Sequence, residues 1–270
     1  MIVGLHPADD ASRDHYLFRH LSRALLPRGV AVMRFDRRGY DVPFEDQVAD
    51  TLDVIEELRS RREIDARRIG LWGFSQGAWI APLLAARSDS VRSLVLVASV
   101  GVTPTEQMRY GTAKHLREAG HGEDAVRRLL DARTATEEWR RGRLDLTSAQ
   151  AAVDAIADEP WRDLAYLPRD LATAGAWPDM DFDPERVFAQ VRVPVVLFYG
   201  EDDEWMPIDA SIAAWRRAAE AAGNRDVTVV RLAGARHTPT LGGRKEIDAV
   251  SPEYERVLVD WVLRVNGLAP

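Results

Sequence analysis

The residues with the clearest chemical meaning are Gly73-Phe74-Ser75-Gln76-Gly77, a serine framed by glycines in a G-x-S-x-G pattern. A serine hydroxyl is a weak nucleophile until a base removes its proton, and a histidine does this best when a carboxylate orients it. Both partners follow downstream. Asp203 lies in Gly200-Glu201-Asp202-Asp203-Glu204-Trp205-Met206-Pro207 and His237 in Gly234-Ala235-Arg236-His237-Thr238, so the chain order is Ser, Asp, His. Four acids crowd positions 201–204, and chemistry alone does not choose among them. His15 and His20 fall within or beside a helical pattern, and His115 and His121 lie in a region without strand-like runs. His237 combines a loop position with the right place in the order. The chemistry such a set supports is acyl transfer through a serine nucleophile.

These side chains must be positioned by the elements around them. Apolar, β-rich runs alternate with stretches of helical period, the pattern of a parallel sheet with crossover helices. Met1–Leu5, Val30–Phe35, Arg68–Phe74, Ser93–Ser99, Val193–Tyr199 and Val227–Leu232 read as strands. Asp14–Leu26, Phe44–Arg61, Gln76–Ala86, Asp209–Ala222 and Pro252–Val265 read as helices. Ser75 therefore sits in a strand–turn–helix setting, where flanking glycines relieve steric crowding around a tight turn. Asp203 and His237 each follow a predicted strand, and loops at strand C-termini are where open α/β sheets carry functional groups. From Pro104 to Asp183 no strand-like run occurs, only helical segments broken by Gly122, Gly142, Pro160, Pro168, Gly175 and Pro178. The expected organisation is an α/β core of residues 1–103 and 184–270 with a helical insertion, 104–183.

Composition bounds the function classes. With 270 residues, 46% hydrophobic and 29% charged, the chain suits one large core plus an insertion. No run of about 18 apolar residues predicts a membrane span. The opening MIVGLHPADD lacks a basic n-region and a long apolar stretch, so the expectation is a cytoplasmic protein. The absence of cysteine rules out disulfides, a thiol nucleophile and thiolate metal sites. A net charge of −7, with arginine runs flanked by acids, argues against a nucleic-acid partner. No P-loop, G-x-G-x-x-G, H-E-x-x-H or EF-hand pattern occurs, so neither cofactor nor metal is expected.

The whole pattern resembles the α/β-hydrolase superfamily, and its serine esterase, dienelactone-hydrolase or prolyl-oligopeptidase-like branch in particular. Val3-Gly4-Leu5-His6-Pro7 looks like that family's strand ending in His-Gly, and Phe35-Asp36-Arg37-Arg38-Gly39 is similar to its Asp-x-Arg-Gly turn. Gly200-x-x-Asp203-x-x-x-Pro207 matches the acid-loop spacing, which favours Asp203 over Asp202. The resemblance implies an oxyanion hole from the backbone N–H groups of Gln76 and Ala8. Pro7 stands where relatives carry glycine, so the loop backbone differs there, and His6 is expected to be structural. It also implies that 104–183 forms a lid, whose Met108, Tyr110, Trp139, Trp161, Tyr166 and Trp177 either line an acyl pocket or pack the lid helices. Trp79 and Trp205, near the proposed catalytic groups in sequence, are the substrate-binding candidates. Many relatives place two antiparallel strands before the strand with which this chain opens. A shortened sheet edge needs protection, and a homodimer would provide it.

The expected activity is hydrolysis of an ester or related acyl bond of a small molecule through an acyl-enzyme on Ser75. The same triad suits an acyltransferase, thioesterase, peptidase or ring-closing enzyme, and the scaffold also hosts lyases and cyclases. A catalytically silent ligand-binding protein is the rival of a different class, although such a protein has no need of all three residues.

Overall fold

The computed structural model describes residues 1–5, 13–38 and 42–268. Six strands, β1 (Ile2–Leu5), β2 (Val32–Met33), β3 (Gly70–Phe74), β4 (Ser93–Val97), β5 (Val195–Gly200) and β6 (Val227–Leu232), form one sheet in the order β2-β1-β3-β4-β5-β6. Every neighbouring pair is parallel. Strands β3, β4 and β5 are buried at every position, as their continuous apolar runs predict for strands covered on both faces. The path moves outward from β1 to β2 and then returns to the other side of β1 with β3. Such a reversal of strand order is the switch point at which open α/β sheets place their sites.

The crossovers are helical: α1 (Tyr16–Leu25), α2 (Phe44–Arg59) and α3 (Gly77–Ala85) connect the first four strands. Their boundaries follow local chemistry. His15 caps α1 through Nδ1, which accepts from the Leu17 N–H at 3.3 Å. Gly29, at φ 72°, closes the turn after α1 with the left-handed conformation that glycine tolerates. The sequence predicts a strand over Val30–Phe35, yet only Val32 and Met33 belong to β2, because the ladder to β1 joins Ile2 to Val32 and Val3 to Met33 and ends there.

The chain divides into two compact units. The first, residues 1–102, 183–203 and 208–270, holds the sheet and its flanking helices. The second consists of residues 103–182 with 204–207 and has no strand among its described residues. It contains α4 (Pro104–Glu118), α5 (Glu123–Arg140) and α6 (Leu146–Asp154). Thr103 opens α4 with a reciprocal capping box: its hydroxyl accepts from the Glu106 N–H while the Glu106 carboxylate accepts from the Thr103 N–H. The interior of this unit is apolar around Leu116, Leu129 and Trp161. Trp139 packs against a smaller cluster of Ala149, Val153 and Leu171. Arg133 is buried there too, its guanidinium donating to Thr112 Oγ1 and the Ala165 carbonyl, and burial lowers its pKa to about 10. Tyr110 and Tyr166 stay exposed. Back in the first unit, α7 (Pro184–Phe188), α8 (Ile208–Ala222) and α9 (Pro252–Val265) complete the fold.

Candidate active site

Ser75 stands immediately beyond β3 at φ 51°, a left-handed conformation that side-chain-bearing residues rarely adopt. Its own N–H donates to the Val97 carbonyl at 3.0 Å, extending the β3–β4 ladder one residue past the strand, and its carbonyl accepts from the Ala78 N–H. The turn leaves no room at Gly73, where a Cβ would lie 2.3 Å from the Gly77 carbonyl oxygen. The glycine two residues before the serine is therefore required by contact with the helix that follows.

The acid and the histidine come from adjacent strand ends, β5 and β6. Asp203 is fully buried, and its two oxygens lie 3.1 and 2.9 Å from His237 Nδ1. His237 Nε2 is 3.0 Å from Ser75 Oγ. Facing a carboxylate, Nδ1 carries the proton, which leaves Nε2 as the acceptor for the serine hydroxyl. The imidazole also packs against Phe74, ring centroids 5.1 Å apart. Its loop is pinned by isolated bridges between Ala235 and Leu241 and between Thr240 and Val250. The sequence-predicted Ser75, Asp203 and His237 thus form one continuous hydrogen-bonded chain, and Asp203 is the acid that reaches the histidine.

Gln76 caps α3 and is buried. Its backbone N–H makes no hydrogen bond among the described residues. Ala8, with Pro7 and His6, lies outside the described residues. Trp79 is buried on α3, its Nε1 donating to the Val100 carbonyl at 2.8 Å and its ring 5.7 Å from Phe44. Trp205 lies in the helical unit, edge-on to His115 and Tyr166 at 4.4 and 5.0 Å. A Cβ on Gly111 would come within 2.7 Å of the Trp205 ring.

Sequence reasoning missed two contributors. Gly200 ends β5 where the Asp and His loops cross: the Asp202 N–H donates to the Ala235 carbonyl at 3.0 Å, and a Cβ on Gly200 would fall 1.9 Å from the Arg236 oxygen. Arg37 donates through Nη2 to Gln76 Oε1 at 2.8 Å. The first was visible only as a glycine in the acid-loop motif, and the second joins residues 39 positions apart. Among the described residues no cluster of three or more His, Asp or Glu could hold a metal ion, and no helix is long and apolar enough to cross a membrane.

Residues 2–249 match the model of a family described as the alpha/beta hydrolase family. A search of curated proteins finds no match. Among solved structures, an esterase of Pyrococcus furiosus is similar over 97% of this chain and 80% of its own, with 16% identity and a TM-score of 0.59. A monoacylglycerol lipase of Paleococcus ferrophilus aligns over 98% of this chain and 94% of its own at 18% identity, TM-score 0.56. Est1E from Butyrivibrio proteoclasticus aligns over 98% and 88% at 16% identity, TM-score 0.57. At these identities the likeness speaks for the fold.

Proposed function

The chain belongs to the alpha/beta hydrolase family, and from that premise we propose that it is a serine hydrolase cleaving an ester or related acyl bond of a small molecule. The observation that carries this reading is the unbroken path from Ser75 Oγ to His237 to Asp203, with contacts of 3.0 and 2.9 Å. Structures of an esterase and a monoacylglycerol lipase on the same fold agree with it.

His237 Nε2 takes the hydroxyl proton as Ser75 Oγ attacks the carbonyl carbon, and Asp203 stabilises the imidazolium and keeps Nδ1 protonated. The negative charge gathers on the former carbonyl oxygen, for which the Gln76 N–H is one donor and Ala8 the second. Such a donor contributes about 3 kcal/mol to transition-state stabilisation. Collapse of the intermediate expels the leaving group, which takes its proton from His237. Water then attacks the acyl-enzyme with His237 again as base, and Ser75 is released. Trp205, two residues past the acid in the chain, is the residue we assign to acyl contact.

The test is hydrolysis of p-nitrophenyl esters from acetyl to long acyl chains, together with fluorophosphonate labelling, for wild type and Ser75→Ala. Labelling and turnover that both vanish in the variant support the reading. A wild-type protein that neither labels nor turns over any ester of the series overturns it.

A further inference from the structure

The turn after β2 takes no part in the chemistry above, yet it is held from several sides. Asp36 Oδ1 accepts the Arg13 N–H at 2.8 Å. Arg38 grips Asp50 on α2 with two bonds of 2.6 and 2.8 Å and donates a third to the Asp46 carbonyl at 3.1 Å. Between these anchors, Arg37 points the other way, and its Nη2 donates to Gln76 Oε1 at 2.8 Å.

In the mechanism proposed above, Gln76 is the residue whose backbone N–H serves the developing oxyanion. Its carbonyl end is fixed by the helix, accepting from the Trp79 and Ile80 N–H groups at 3.0 and 3.3 Å. The peptide that carries its N–H begins at the strained Ser75, whose carbonyl accepts from the Ala78 N–H at 2.9 Å, while the N–H itself has no hydrogen bond among the described residues. An oxyanion donor works by being aimed before charge develops, so restraint on that peptide bears directly on rate. The side-chain tether adds to these backbone bonds a restraint on the residue whose N–H is left unbonded, and a bond from a guanidinium is stronger than one between neutral groups.

We propose that Arg37 is a positioning residue of the oxyanion hole: through Gln76 Oε1 it holds the Gln76 peptide with its N–H toward the acyl oxygen. This rests on the serine-hydrolase reading of Ser75. The Arg37-Arg38 pair then divides its work, one arginine fastening the turn to α2 and the other reaching the residue after the nucleophile.

The experiment compares wild type, Arg37→Met, Arg37→Lys, Gln76→Met and the double variant. Methionine is smaller than arginine and close to glutamine in volume, so neither substitution overpacks its site. Two quantities are read: the second-order rate of fluorophosphonate labelling, and kcat and KM for a p-nitrophenyl ester, with folding checked by circular dichroism. Removal of a whole donor costs 10²–10³ in kcat, and a donor left in place but loosely aimed should cost about tenfold. Arg37→Met is therefore expected to slow labelling and kcat about tenfold with KM unchanged, the sign of an interaction made in the transition state. Gln76→Met, which keeps its N–H, should match it. Arg37→Lys should fall between, and the double variant should be no slower than either single one. Wild-type labelling by a folded Arg37→Met protein, or losses that multiply in the double variant, would overturn the proposal while leaving Ser75 as nucleophile. Failure of the wild type itself to label would instead remove the reading on which the proposal rests.

Discussion

Replacing Gly200 by alanine tests whether the acid and histidine loops are held at their distance by the absence of one methyl group. The added Cβ would lie 1.9 Å from the Arg236 carbonyl oxygen and 2.5 Å from that of Ala235. Cβ contacts below 3.0 Å are essentially never found, so the two backbones must part by about 1.1 Å even to reach that limit. Both obstacles are main-chain atoms and cannot rotate away. Arg236 directly precedes His237, so the displacement passes into an imidazole whose bonds to Asp203 and Ser75 are 2.9 and 3.0 Å long. A shift of this size takes at least one of them out of hydrogen-bond range. Misplacement of a catalytic group by about 1 Å costs on the order of 10²-fold in rate, and overpacking a rigid site costs about 1–3 kcal/mol of stability. The assay is kcat on a p-nitrophenyl ester with a parallel thermal melt. Gly175→Ala is the control, because a Cβ there meets nothing within 4 Å. Wild-type turnover and melting temperature in Gly200→Ala would refute the reasoning.

Asp203→Asn keeps shape but replaces one acceptor oxygen with a donor facing His237 Nδ1. It should lower kcat by about 10⁴ through the wrong imidazole tautomer, with an unchanged melting temperature; a loss below tenfold would move the acid role elsewhere in the loop. His20 sets an acid limit on stability. Its Nε2 lies 2.9 Å from Glu255 Oε2, its Nδ1 is buried without a hydrogen-bond partner, and burial outweighs the carboxylate to push its pKa below 6.5. Below pH 6.5 the unfolded chain takes up a proton that the folded one resists. Stability should therefore be complete above that pH and fall as pH drops toward the folded value. The melting temperature should fall less between pH 7.5 and 5.5 in His20→Gln than in wild type, and an equal fall would dismiss His20 as the cause.

The parts legible in the sequence were those written in local pattern. Continuous apolar runs marked β3, β4 and β5 because strands covered on both faces have no polar side to show, and Ser75 was legible because its crowded turn demands glycine at 73. Where a choice depended on distance, residues alone were silent: four consecutive acids differ only in which one the loop turns inward, and Asp203 was separated from Asp202 by resemblance. Strand β2 was overestimated because apolar content shows where a strand could form, while its length depends on how far β1 runs alongside. Trp79 shows the same limit, since its proximity to Ser75 in sequence says nothing of the Val100 carbonyl and Phe44 that enclose it. The Arg37–Gln76 bond had no signal at all beyond the family turn that contains Arg37.

Among the described residues of the sheet unit, two that bear side chains hold positive φ, Ser75 at 51° and Ala98 at 52°, and they occupy equivalent places one residue beyond β3 and β4. Each such conformation costs about 1–2 kcal/mol, so both must be held by their surroundings. The Ser75 N–H donates to the Val97 carbonyl and the Ala98 N–H to the Phe198 carbonyl, so each strand's last bond is made to the next strand along. Ser99 then accepts from the Tyr199 hydroxyl at 3.0 Å and from Trp215 Nε1 at 2.9 Å. Tyr199 leads directly into Gly200, whose bare Cα lets the loop bearing His237 approach. Serine, acid and histidine are thus separated by the sheet's own register, transmitted through β4 and β5, and the strain at Ser75 is stored in a lattice of main-chain bonds that no single side chain can release.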